Sequence, residues 1–385
     1  MNRLKVLITN IKLEARTGTE LYVRDLALGL LERGHCPVVY SPRLGGLAGE
    51  IRRATVPVVD DLSKLSAPPD IIHGQHANET LTALLHFPRV PAVYFCHDWY
   101  FPEDYPPPFP RILRYVAVDQ TCRDKLIFER GVPEERVRLL YQFVDLESFT
   151  PRPTPLPERA RRAVVLCNYT QESEHLAAAR KACARAGLTL DVYGQRVGRP
   201  CADPEKLFRE YDIVFAKGRA ALEALAVGAS VVVYWWRRLG PLVTTGELLR
   251  LRRDNFGIRA MGDELTPEEF GRAVERAVGS YDSADAAEVS RRVRAEAGRD
   301  RAIDEVTELY EEVVAEYASD PRDDPEREAR AAAAHLREIS VLFWKQRETI
   351  YASTPFRLTE RLLKTPVLGR LTRAVARVAV GRRPR

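Results

Sequence analysis

KVLITNIKLEARTGTELYVRDLALGLLERGHCPVVYS, residues 5–41, is the stretch from which the fold is read. Lys5 to Thr9 is a short β-branched run with no turn former. Across 19–33, Tyr22, Val23, Leu26, Ala27, Leu30 and Leu31 recur at helical spacing as one apolar stripe, and Gly34 supplies a left-handed stop. Val38 to Ser41 is again strand-like. A strand, a covering helix and a second strand make a parallel unit, because two parallel strands need a long crossover between them. The alternation continues with strands at Ile71-Ile72, Ala92 to Cys96, Tyr115 to Val118 and Val137 to Tyr141. Strands apolar on both faces, with helical segments between them, predict a doubly wound parallel α/β sheet.

The run Pro151-Arg-Pro-Thr-Pro-Leu-Pro157 interrupts this pattern as an extended linker. After it the alternation restarts, with strands at Ala163 to Cys167, Leu188 to Tyr193, Asp212 to Ala216 and Ser230 to Tyr234, and helices near 175–187, 219–227 and 266–279. The expected organisation is therefore an N-terminal Rossmann-like domain over 1–155, a second over 156–318, and a helical extension over 319–385. Residues 284–318 read as one long charged helix, Asp320 to Arg330 as a mixed-charge run without an apolar face, and Ala331 to Tyr351 as an amphipathic helix. Two open sheets joined by a linker leave a cleft lined by the carboxyl ends of their strands, where such sheets bind ligands.

With 45% hydrophobic and 29% charged residues, the chain is neither collagen-like nor mainly disordered. Its longest uncharged apolar run, Ala224 to Trp236, is too short to span a bilayer, and no secretory h-region follows Met1. A cytoplasmic protein is expected, with its six scattered cysteines reduced. Residues 355–385 carry nine Lys/Arg against Glu360 alone, interleaved with Leu and Val. This segment is +8 in a chain of net +5, so the remainder is −3, which argues against a nucleic-acid surface. The segment reads as a basic amphipathic element suited to an anionic membrane surface, or as a helix docked on the protein itself.

The residues able to carry chemistry lie at strand-to-helix turns. Gly18 stands where backbone amides at a helix N-terminus can face an anion, although a plain turn capped by Thr19 reads equally. There is no Gly-x-Gly-x-x-Gly fingerprint and no Gly-x-x-x-x-Gly-Lys-Ser/Thr loop, which weakens dehydrogenase and ATPase readings. His73 and His76 lack a third ligand, and no Ser/His/Asp or Cys/His nucleophile set is readable, so no metal and no cofactor is expected. Lys217 and Arg219 flank Gly218 after the strand ending at Ala216, adding positive charge to a helix N-terminus.

Six motifs in order resemble family 4 glycosyltransferases: Thr17-Gly-Thr-Glu20, Leu31-Glu-Arg-Gly-His35, Pro69 to His76, Pro91 to Asp98, Gly131 to Val137 and Val144 to Phe149. The resemblance runs over roughly residues 4–318. It implies a GT-B fold and retaining transfer of a sugar from a nucleotide-diphosphate donor to a glycan or lipid-linked acceptor, as in cell-surface polysaccharide or glycolipid synthesis. By resemblance, His97 contacts the reacting sugar with Asp98 beside it, Glu223 holds the donor ribose, and Lys217, Gly218 and Arg219 hold the diphosphate. Gly18, Gly240, Leu242, Val243 and Thr244 join the donor set, through backbone amides or the Thr244 hydroxyl. The family's Glu-x7-Glu motif is incomplete, because Phe215 stands where its first glutamate belongs. Absence of an Asp-x-Asp triplet fits a metal-independent reaction. A non-hydrolysing nucleotide-sugar epimerase and a non-catalytic nucleotide-sugar-binding subunit remain alternatives.

Overall fold

The computed structural model describes residues 3–321, 324–354, 357 and 358. The first sheet contains β1 (Lys5–Thr9), β2 (Cys36–Tyr40), β3 (Val58–Val59), β4 (Ile71–Gln75), β5 (Ala92–Cys96), β6 (Ile112–Ala117) and β7 (Val137–Leu139). All its pairings are parallel, in the order β3-β2-β1-β4-β5-β6-β7. The crossovers carry α1 (Gly18–Glu32), α2 (Gly46–Arg53), α3 (Ala77–His86) and the short α4 (Gln120–Asp124). The second sheet contains β8 (Arg162–Leu166), β9 (Thr189–Tyr193), β10 (Ile213–Ala216), β11 (Ser230–Trp235) and β12 (Arg238–Leu242), ordered β12-β11-β10-β8-β9. Its helices are α5 (Glu174–Arg185), α6 (Pro204–Leu207), α7 (Gly218–Val227), α8 (Leu248–Arg253), α9 (Pro267–Gly279) and α10 (Ser283–Glu296). Two open α/β sheets of this kind form the GT-B architecture that the resemblance implies.

Strands β1, β4, β5 and β10 bury nearly every side chain, as mainly apolar strands enclosed by helices must, with His73 and Gln75 of β4 among the buried polar exceptions. Strand β12 is the exception to the expected parallel pattern. It pairs antiparallel with β11, because Trp236 turns the chain tightly with φ +56° and returns it along the sheet edge.

The domain boundaries differ from the sequence expectation in two ways. Phe143 packs in the core of the first domain while Val144 and Phe149 pack in that of the second, so the chain crosses at 143–144, before the proline-rich run. The expected helix over 284–318 is broken at Ala297-Gly298, and its second part, α11 (Arg299–Ser319), returns to the first domain. Ile303, Val306, Tyr310 and Val313 form a buried stripe there beside Val6, Val23 and Phe95. Burying each such side chain stabilises by roughly 1.5–3 kcal/mol, which outweighs the uninterrupted charge pattern that suggested a single helix. The two crossings are bonded to each other, with Val144 N–H donating to Ala297 O at 2.8 Å and Arg299 N–H donating to Val144 O at 2.9 Å.

The second compact unit contains α12 (Pro325–Ala352), which begins six residues earlier than the amphipathic pattern suggests, inside the mixed-charge run. Asp324 accepts a hydrogen bond from Arg327 N–H and Pro325 opens the first turn, a combination that starts a helix without apolar residues. Leu336, Phe343, Trp344, Ile350 and Tyr351 on it are exposed. Apart from Arg357 and Leu358, the basic segment 355–385 lies outside the described residues. No described helix is long and apolar enough to cross a membrane.

Candidate active site

A small pocket of about 70 Å³ lies where the carboxyl ends of the two sheets meet. The first domain contributes His97 and Asp98 beyond β5, Trp99 to Phe101 of the following loop, and Asp119 and Thr121 at α4. The second contributes Lys217 and Gly218 between β10 and α7, Trp235 at the end of β11, and Asp254, Asn255, Gly257 and Ile258 of one turn.

His97 is fixed from several sides. Tyr22 of α1 meets its ring edge-on with centroids 4.6 Å apart, and Phe95 lies nearly parallel to it at 6.2 Å. Its Nδ1 is 3.0 Å from Nε2 of Gln142, whereas its buried Nε2 has no hydrogen-bond partner among the described residues. Burial, with a smaller push from His76, lowers its pKa to about 3, so the ring is neutral near pH 7. Asp98 does not orient this ring. Its Oδ1 accepts from Tyr100 N–H at 2.6 Å and so shapes the aromatic loop instead. The other sequence-noted histidines are structural. His73 stacks on Phe95 at 4.1 Å and shares a 2.6 Å hydrogen bond with Tyr310, while His76 Nδ1 accepts from Ile11 N–H.

Across the pocket, Lys217 caps α7 and sets its ammonium 4.4 Å from the Trp235 ring centroid. Gly218 follows with φ +55°, a conformation that strains any side-chain-bearing residue, and begins a helix whose positive end suits an anion, although its own N–H donates to Phe256 O at 3.4 Å. Asn255, also left-handed at φ +51°, buries an Oδ1 with no partner among the described residues. The turn Asn255-Phe256-Gly257, to which the sequence reading gives no chemistry, thus forms pocket wall. Asp119, Thr121 and Asp254 were also missed, since each is an isolated polar residue in a loop without motif spacing.

Arg219 and Glu223 are not free for a ligand in this arrangement. Arg219 Nε donates to Glu223 Oε1 at 2.6 Å and its Nη2 donates to Asp25 Oδ2 of α1, so the pair expected to hold donor groups ties α7 to the first domain. Arg24 approaches the other oxygen of Asp25 at 2.6 Å. Burial pushes the Asp25 carboxyl up, but the guanidiniums of Arg219 and Arg24 more than offset it and hold the group below its ordinary range. One nitrogen of Arg219, Nη1, is buried with no partner among the described residues. Phe215 is 1% exposed and meets Tyr234 edge-on in the core of the second domain.

The remaining expected donor residues fall away from the pocket lining. A Cβ on Gly240 would stand 2.6 Å from Ala260 O and 2.9 Å from Val233 Cβ, so glycine is needed there for close packing. Leu242 pairs with Val232 in the edge ladder, Val243 N–H donates to Val231 O at 2.7 Å, and Thr244 O accepts from the Glu247 and Leu248 amides. The antiparallel return of β12 commits this segment to the sheet edge. Gly18 is exposed at the start of α1 with open space before it, and Thr17, rather than Thr19, is the cap residue. Buried Glu20 shapes the preceding loop by accepting from the Glu14 and Ala15 amides and the Thr17 hydroxyl.

Comparison with known proteins agrees with this fold. Residues 16–148 match the family model Glycosyltransferase Family 4. The matched segment includes Gly18, Asp25, His97, Asp98 and Gln142, and ends just beyond the crossing between the domains. No curated protein matches the chain. Among solved structures, a glycosyltransferase from Rickettsia africae ESF-5 aligns over 82% of this chain and 99% of its own, at TM-score 0.57 and 14% identity. Anabaena HepE, solved with UDP and glucose, aligns over 80% and 100%, at 0.58 and 16%. At these identities the likeness is one of fold, and the fold is GT-B.

Proposed function

We propose that this protein is a metal-independent, retaining glycosyltransferase that moves a sugar from a nucleotide-diphosphate donor to a glycan or lipid-linked acceptor. The observation that carries the reading is the pocket between the domains, lined by neutral His97, whose buried Nε2 is unpaired among the described residues, and by Lys217 and Gly218 at the N-terminus of α7. In the transfer, the bond from the sugar's anomeric carbon to the diphosphate oxygen breaks, and a bond from that carbon to an acceptor hydroxyl oxygen forms. Negative charge grows on the leaving diphosphate, which takes up the proton that the acceptor hydroxyl gives up. Lys217 and the amides opening α7 would meet that charge with dipoles and a cation already in place. His97 would touch the sugar, and the aromatic loop from Trp99 to Phe101 would border the acceptor side.

The same reading places the enzyme at the cytoplasmic face of a membrane, supported by the exposed apolar residues of α12 and the +8 charge of the segment after it. The rival reading, a binding subunit without turnover, is favoured by Phe215 in the core and by Glu223 engaged with Arg219.

One set of assays separates the possibilities. Melting temperature is measured without added metal against UDP, GDP, ADP and their sugar conjugates, followed by product analysis with and without glycan and lipid-linked acceptors. Binding at one hundred times the dissociation constant adds about 2.7 kcal/mol of stability. The expected result is one responsive nucleotide series, weakened in Lys217→Ala, with a glycosylated product only when acceptor is present and a loss of about 10²-fold in kcat for His97→Ala. Conversion of the donor alone would establish an epimerase, and binding without turnover a binding subunit.

A further inference from the structure

We propose that Gln142 is a positioning residue that fixes His97 as the Nε2–H tautomer, leaving one buried, unpaired N–H donor on a residue that lines the pocket between the domains. For its catalytic consequence this rests on the reading of the pocket as the donor-sugar site; for the tautomer itself it does not.

The argument begins from hydrogen-bond inventory. A neutral imidazole has one donor nitrogen and one acceptor nitrogen. The Gln142 amide nitrogen can only donate, and it stands 3.0 Å from His97 Nδ1. Nδ1 is then the acceptor and the proton resides on Nε2. That Nε2 is buried without a partner among the described residues on a residue lining the pocket, and a buried unpaired donor is costly unless something arrives to accept from it. A sugar hydroxyl or ring oxygen is the chemical class that would. The stacking of Phe95 and the edge of Tyr22 hold the ring plane, leaving the tautomer as the remaining variable.

Gln142 is itself held at a telling position. Its backbone carbonyl accepts from Arg252 Nη2 of the second domain, the next residue, Phe143, packs against Tyr22, and Val144 makes the bonds that pair the two interdomain crossings. The group that sets the His97 proton therefore sits at the crossing between the domains, and a change in their approach would reach His97 through it. Sequence reasoning missed Gln142 because it lies 45 residues from its partner, in a segment read as the end of a strand.

The ionisable groups around His97 are Tyr22 of α1, His73 of β4, His76 before α3, the adjacent Asp98, Asp104 of the aromatic loop, and Lys217 across the pocket. Replacement of Gln142 by a carboxylate adds one that can only accept at neutral pH. In Gln142→Glu the ring is drawn to Nδ1–H or to the imidazolium.

The experiment uses the full-length, 15N-labelled protein. Long-range 1H–15N spectra, with His97 assigned by the signal lost in His97→Gln, should show the Nε2–H pattern from pH 5.5 to 8 in the wild type. Gln142→Glu should lose that pattern. It should show a new ionisation in the kcat–pH profile and a fall of about 10²- to 10⁴-fold in kcat with a smaller change in donor KM. Gln142→Leu, which leaves both tautomers open, should lose less and gain no new ionisation. A wild-type Nδ1–H pattern overturns the proposal, as does Gln142→Glu that keeps the Nε2–H pattern and the wild-type pH profile. If Gln142→Glu does not fold, the wild-type and Gln142→Leu spectra decide. An Nε2–H pattern in a protein that turns over no nucleotide sugar sustains the tautomer assignment and overturns the proposed function.

Discussion

Asp104 and His97 illustrate how burial moves two kinds of ionisable residue in opposite directions beside one pocket. Burial, and after it the Asp98 charge, pushes Asp104 up to about 8 against the opposing pull of Lys125, and burial pushes Glu79 up to about 7. Histidines 97 and 76 are lowered to about 3 and 4. The stability contributed by a lowered histidine is lost as pH falls below the ordinary 6.5, and above 6.5 it is constant. A raised carboxyl does the reverse: the folded chain keeps a proton that the unfolded chain releases near pH 4, so stability is lost as pH climbs towards the folded value. Between pH 6.5 and 8 the raised carboxyls therefore dominate, and the melting temperature should fall across that window. Asp104→Asn keeps the neutral shape without the titration and should flatten the slope in a melting series at fixed ionic strength. An unchanged slope would mean that Asp104 is ionised in the folded protein.

Helix α12 belongs to a different balance, in which an element exposes what it would ordinarily bury. Leu336, Phe343, Ile350 and Tyr351 recur at helical spacing on it with Arg347 among them, and Trp344 adjoins. Exposed aromatics beside a cationic segment suit a bilayer interface, with each Lys or Arg near an anionic surface worth about 1 kcal/mol. The full chain should therefore float with vesicles containing phosphatidylserine at low salt and less so at 0.5 M salt. Phe343→Ser combined with Trp344→Ser should weaken flotation without lowering the melting temperature of the unit that holds the two sheets. Equal flotation with neutral vesicles would remove the electrostatic part of this reading.

At the scale of the molecule, the two α/β domains are joined by charge as well as by chain. Arg219 reaches from α7 to Asp25 on α1, both buried, with Glu223 and Arg24 completing a neutral set of four. Removing one member of a buried set leaves the others uncompensated and typically costs about 3–5 kcal/mol. Asp25→Ala should lower the melting temperature strongly, and Asp25→Asn less, since the amide still accepts from one guanidinium. A double-mutant cycle of Asp25→Asn with Glu223→Gln should show coupling through the shared Arg219. Additive effects would show that the two carboxylates act independently. The arrangement also explains why Glu223 cannot be assigned to the donor ribose from motif position alone: in this domain arrangement its carboxylate already has a partner.

Much of the architecture was legible in order along the chain. Ten of the strands followed from short apolar runs, because parallel strands enclosed on both faces must be apolar throughout. Strands β3 and β12 did not. The first is two residues long, and the second contains Gly240 and Pro241, whose place depends on an edge rather than on propensity. His97, Asp98, Lys217 and Gly218 were readable at the ends of strands, and the structure brings them to one pocket. Local sequence determined which residues end strands and begin helices, because periodicity and turn chemistry act over a few residues. Only the tertiary structure decided that α11 returns to the first domain, that Arg219 and Glu223 meet Asp25, and that Gln142 meets His97. Those outcomes depend on contacts between segments up to about 300 residues apart, which no local pattern of charge or hydropathy specifies.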